Sequence, residues 1–193
     1  MELMHTEICR KHIVIYTIAA VLIGLMITFW TGKDPDIAKK EAEKTAKAMM
    51  QAETEVLAPN GQIQTIDGRS AELRELYNKK PVYLFFWMPW SDASKQQLPQ
   101  LQALYDRYGK DIYFVVLSLG STEQEARTFY QNSSYTMPFY TAPVSLADAY
   151  NVYDVPQAVM IQQGGRIQER HSGPVSMQQM AYMLERGKQA ARW

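Results

Sequence analysis

Two serines three residues apart, Ser91 and Ser94, follow directly on the apolar run Val82–Trp87, with Trp90 before them, Lys95 after them and Pro99 five residues beyond Ser94. A serine hydroxyl becomes a nucleophile only when a base is placed to take its proton, and no matching His/Asp arrangement is visible in the sequence. Ser91 reads first as a helix N-cap, worth about 1 kcal/mol through the backbone N–H it satisfies. The chain's single cysteine, Cys9, lies near the N-terminus, so the folded part can form no internal disulfide. His171, the one histidine past residue 12, falls on a predicted hairpin strand, where surface placement outweighs catalysis. Met177, Met180 and Met183 are soft donors of the kind copper selects. Together with Leu184 they keep helical spacing, which assigns them to core packing and leaves no metal or cofactor implied. Met88 and Trp90 could form an apolar lip to a peptide groove, with ordinary packing an equal alternative.

The elements that hold these residues read as a compact α/β unit from Asn60 onward. Gln62–Ile66 with a turn at Asp67-Gly68 predicts a strand, and Ala71–Tyr77 a short helix. Val82–Trp87 and Ile112–Ser118 are apolar at nearly every position, as in strands covered on both faces. Between them Ser91–Tyr108 is helical, with Leu98, Leu101, Leu104, Tyr105 and Tyr108 on one face. Two buried strands joined by such a helix make a right-handed parallel βαβ unit. Thr122-x-x-Glu125 opens a further helix as a capping box, and Ser145-x-x-Asp148 resembles a weaker one. Ala158–Gln162, Gly164-Gly165 and Arg166–His171 predict a hairpin with a two-residue loop, and Ser176-x-x-Gln179 caps a last helix to about Ala191. The expected result is a mixed sheet with helices on both faces.

Ahead of this unit, residues 1–12 form a tail and Ile13–Trp30 an uncharged apolar run of eighteen residues. That length is at the lower end of the ~17–25 residues that span a bilayer as a helix. A secretory h-region is shorter, ~7–15 residues, and ends in a small-x-small site, whereas this run ends Ile27-Thr28-Phe29-Trp30. An uncleaved anchor is therefore favoured over a signal peptide. Lysines and arginines flank both ends, so charge alone does not orient it. Residues 31–59 read as a helical stalk in which Glu43 and Lys47 sit at i,i+4; a solvated spacer is favoured over a short dimerising coil. Twenty basic and twenty acidic residues balance to zero formal charge. Nothing in that balance draws the chain to nucleic acid.

Taken together, Asp67-Gly68, Phe86-Trp87, Trp90 with Lys95 and Pro99, Tyr150-Asn151-Val152 before Val155-Pro156, and Gly164-Gly165 resemble the thioredoxin superfamily. Within it they are closest in pattern to the membrane-anchored TlpA-like or ResA-like thiol-disulfide proteins. The resemblance covers residues 60–193. It implies a thioredoxin fold, a cis Val155-Pro156 bond facing the active-site turn, and an extracytoplasmic domain on a single-pass anchor in the cell membrane.

The same resemblance makes Ser91 and Ser94 the positions of a Cys-x-x-Cys pair. Thiol-disulfide exchange needs a thiolate and a second sulfur to resolve the mixed disulfide, and a serine pair supplies neither. The resemblance also places Phe85 where thioredoxins carry a buried carboxylate, and Gln97 where ResA-like members carry a glutamate. Disulfide-exchange activity is therefore not expected. The expected groove is Trp90, Ser91, Asp92, Ala93, Ser94, Val155 and Pro156, holding an extracytoplasmic polypeptide or membrane-protein partner without redox chemistry. The alternatives are an oxidoreductase of cytochrome c maturation or envelope redox homeostasis with residual or partner-dependent activity, and a structural subunit of a membrane complex.

Overall fold

The computed structural model describes residues 56–119 and 123–190, together with helical residues among 36–46. The chain divides into two compact units, Met1–Glu55 and Val56–Trp193. In the first, the described residues are helical and exposed apart from half-buried Ala46. The apolar run 13–30, Cys9 and Lys47 lie outside the described residues. Among the described residues no helix is long and apolar enough to cross a membrane.

The second unit is built on one seven-stranded sheet in the order β2-β1-β5-β4-β3-β6-β7. Its strands are β1 (Gln62–Thr65), β2 (Ser70–Glu72), β3 (Val82–Trp87), β4 (Tyr113–Leu119), β5 (Phe139–Ala142), β6 (Gln157–Ile161) and β7 (Ile167–Ser172). The helices are α1 (Leu73–Lys79), α2 (Asp92–Tyr108), α3 (Glu123–Gln131), α4 (Val144–Ala149) and α5 (Met177–Ala190). β3, β4 and β5 run parallel. The pairs β3–β6, β6–β7, β1–β5 and β1–β2 are antiparallel.

Alternation along β3 sends its six buried residues into two cores. Tyr83, Phe85 and Trp87 join Leu98, Leu101 and Leu104 of α2 and Met180, Met183 and Leu184 of α5. Val82, Leu84 and Phe86 join Leu73 and Tyr77 of α1 and Leu146, Ala147 and Tyr150 at α4. Two-sided coverage is the reason this strand carries no charged residue. Phe85 is thus a core residue under α2 and α5, while Met177 is 46% exposed and departs from the core assigned to it.

Several local expectations are corrected by pairing partners. Ser70–Glu72 is a strand and not the start of a helix, because Ala71 pairs with Ile63 across the turn at Gly68. β5, absent from the expected elements, is four residues wedged between β4 and β1. α4 begins at Val144 after Pro143, with no side-chain cap, so Ser145 lies inside the helix and caps nothing. Thr122 lies outside the described residues, as do residues 191–193.

The last hairpin turns through three residues, Gln163-Gly164-Gly165, rather than two, with the Gln162 N–H donating to Arg166 at 2.8 Å. Gly165 has φ +95°, and a Cβ there would lie 2.8 Å from the Tyr77 ring, so glycine is required on both counts. The capping box at α5 forms as expected: Ser176 Oγ accepts from the Gln179 N–H at 3.2 Å, and Gln179 Oε1 accepts from the Ser176 N–H at 3.3 Å. The sheet also reaches further back than Asn60: Ala58 N–H donates to Gly165 at 2.7 Å and Ile167 N–H to Val56 at 2.8 Å.

Candidate functional site

β3 delivers the chain to the head of α2 through Met88, Pro89 and Trp90. The Ser91 N–H donates to Met88 O at 3.1 Å, closing this turn, and Ser91 O accepts the first helical bond from Lys95 at 3.0 Å. Ser91 has extended backbone angles, φ −85° and ψ 111°, and its Oγ accepts from Ser94 N at 3.2 Å, so it is the N-cap of α2. The Ser94 hydroxyl donates to the same Oγ at 3.0 Å. Both serines are buried, at 7% and 0% exposure, whereas the adjacent Trp90 is 67% exposed. The turn therefore presents an aromatic side chain outward and a hydroxyl pair inward.

Asp92 forms an ion pair with Lys95 at 2.8 Å on the outer face of the same turn. The hydrogen bond from Lys95 and its charge hold the Asp92 carboxyl below the usual carboxylate range. Ala93 completes this first turn on the outside, half-buried. One turn inward Gln97 is buried, and its Nε2 donates to the carbonyl of Val175, just before α5. Pro99 follows inside the helix and has no N–H to offer the carbonyl of Lys95.

The second wall comes from the segment before β6. Val155-Pro156 is cis. The antiparallel register pairs Phe86 with Gln157, so Pro156 lies one step further along, opposite Trp87 and beside the turn that leads to Ser91. The fold thus brings Trp90, Ser91, Asp92, Ala93 and Ser94 to the same sheet end as Val155 and Pro156. The Pro156 carbonyl accepts from the Gly173 N–H at 2.8 Å. At the other end of this loop the Tyr150 carbonyl accepts from Arg170 at 2.7 Å, and Gln157 Nε2 reaches it at 3.5 Å. Burial, followed by the charge of Tyr77, pushes the Tyr150 phenol well above its ordinary value. Tyr150 is accordingly a neutral donor, to the Pro59 carbonyl at 2.9 Å. Tyr153 stands on this loop at 86% exposure.

Sequence reasoning missed Tyr153, Arg170, Gly173 and Val175. Tyr153 sits in a short loop without periodicity, and the other three matter only through long-range bonds. Met88, expected at an apolar lip, is half-buried against the core beneath α1 and α4. His171 is half-buried on β7, paired with Ala158.

Chemically, each serine hydroxyl has the other as its hydroxyl partner among the described residues. Such a pair caps a helix and accepts or donates hydrogen bonds; it cannot form or break a disulfide. Among the described residues no group of three His, Cys, Asp or Glu side chains could hold a metal ion.

Comparison with known proteins places this geometry. Residues 78–167 match a family model described as thioredoxin-like. The thioredoxin-like protein YneN of Bacillus subtilis is 26% identical over 131 residues, 66% of this chain and 76% of the relative. The thiol-disulfide oxidoreductase ResA of Geobacillus thermodenitrificans is 23% identical over 187 residues, 96% of this chain and 98% of its own length. Among solved structures, StoA of Bacillus subtilis superposes with a TM-score of 0.57 at 21% identity, covering 66% of this chain and 97% of that one. The exposed lipoprotein thioredoxin Etrx1 of Streptococcus pneumoniae gives 0.60 at 21% identity, covering 66% and 99%. The folded unit of this chain therefore has the thioredoxin-like fold, and the relatives it resembles are named as a thioredoxin-like protein and as thiol-disulfide oxidoreductases of the ResA and StoA type.

Proposed function

We propose that this protein is a redox-inactive member of its family, a thioredoxin-like domain that binds a polypeptide between the serine turn and the Val155-Pro156 loop. The observation that carries the reading is the pair Ser91 and Ser94 at the head of α2 in a chain whose one cysteine is Cys9. Exchange requires an attacking thiolate and a resolving sulfur, and neither position has one. What remains is a groove wall with an exposed Trp90, an exposed Tyr153 and a cis-proline loop, suited to aligning an extended segment by main-chain hydrogen bonds.

The run 13–30 anchors the domain to the membrane in this reading, with the domain on the extracytoplasmic side and a polypeptide or membrane-protein partner. The length-spanning match to the Geobacillus ResA supports a shared overall organisation. Insulin reduction by the full chain, set beside a Ser91→Cys/Ser94→Cys variant, tests the chemistry. Turnover in the variant alone supports the reading. Dithiol-dependent turnover by the native chain rejects it and returns the protein to the oxidoreductases its relatives are named for.

A further inference from the structure

We infer that Gln97 is a positioning residue that ties the head of α2 to the Pro156 loop and thereby sets the spacing between the two walls of the polypeptide site; this rests on the polypeptide-binding reading above. Gln97 lies one turn after Ser94 and is 5% exposed. Its amide N–H donates to the Val175 carbonyl. Two residues earlier, the Gly173 N–H donates to Pro156 O at 2.8 Å. Segment 173–175 is thus bonded to the serine-bearing helix at one end and to the cis-proline at the other. Gly173 has φ +85°, which lets the chain turn from β7 between these two bonds. The adjacent Ser172 hydroxyl donates to Gln157 Oε1 at 3.3 Å, fixing the end of β7 to the start of β6.

The other half of the amide separates position from stability. Gln97 Oε1 is buried with no hydrogen-bond partner among the described residues. A buried acceptor left unpaired opposes folding, and an apolar side chain of similar volume would avoid it. A residue kept only to fill space would therefore be better served by methionine. The amide contributes the link to Val175.

The test uses the full chain and three readouts on Gln97→Met: melting temperature, amide hydrogen exchange, and binding to an array of cysteine-free twelve-residue peptides. The variant removes the unpaired Oε1 but leaves the buried Val175 carbonyl without its donor, so one unpaired acceptor replaces another and the melting temperature should fall by no more than about 5 °C. Gly173 amide exchange should rise about tenfold or more while β3 amides are unchanged. Peptide binding should weaken about tenfold.

Gly173→Ala attacks the other end of the tie. A Cβ there meets nothing within 4 Å, so its effect comes through the positive φ, and it should weaken peptide binding in the same direction. Unchanged Gly173 exchange in Gln97→Met overturns the inference, as does faster exchange with full peptide binding, full binding by Gly173→Ala, or a fall in melting temperature beyond about 10 °C. Absence of peptide binding by the native chain is a different result: it removes the polypeptide reading itself, and the positioning role with it.

Discussion

The first two turns of α2 bury polar groups in opposite ways. Ser91 and Ser94 are satisfied by each other, with the cap oxygen accepting from both the N–H and the hydroxyl of Ser94. Gln97, one turn further in, has one half of its amide bonded across to Val175 and the other half unpartnered among the described residues. The first arrangement stabilises the helix locally by about 1 kcal/mol. The second carries a buried unpaired acceptor, a burden of roughly 1–3 kcal/mol. Two polar features of similar burial therefore serve different ends: one starts the helix, and the other joins it to a distant loop.

Substitutions can break this contrast at several strengths. The largest expected effect is a change of kind: Ser91→Cys/Ser94→Cys places sulfurs at a helix N-terminus, where thiol pKa values fall to ~3.5–7.5. Insulin reduction should then rise from background to measurable turnover. Leu98→Ala, beside Gln97 and fully buried, should cost about 2–5 kcal/mol in urea unfolding. Against that, the smaller loss expected of Gln97→Met, about one hydrogen bond, would isolate its positional role.

Ser91→Ala should lose about 1 kcal/mol, while Ser91→Asp retains a cap and loses less. Ser94→Ala should cost less still, since Ser91 Oγ keeps its bond from the Ser94 N–H. The smallest effect concerns Asp92. Its carboxyl is held low by Lys95, so its contribution is present above the unfolded carboxylate pKa of about 3.9 and is lost as pH falls through the folded value. Lys95→Met should return the Asp92 titration, followed by NMR, to the ordinary range without a measurable change in melting temperature, because Asp92 is exposed.

Much of the site was legible because its signals are local. The apolar run of β3, the amphipathic stripe of α2 and the Ser176/Gln179 box each depend on neighbours a few residues away. β2 and β5 were not legible. They are three and four residues long, and each is a strand because a partner strand lies beside it. The Ser145 cap failed for a related reason: α4 starts where Leu146 and Ala147 reach the core beneath α1, two residues earlier than the local signal suggests. Met177 kept its helical spacing but lies at the solvent edge of α5, since spacing alone does not say where a stripe ends.

By itself the sequence determined that the folded unit has no cysteine pair, because chemistry of that kind is a matter of which atoms are present. It also determined that a capped helix follows a buried strand, through composition and short-range hydrogen bonding. Only the tertiary structure decided that Gln97 meets Val175, 78 residues away, and that Gly173 meets Pro156. Such bonds depend on how α2 and α5 settle on one sheet and on the register of β3 with β6. Those are properties of packed layers, and no local pattern encodes them.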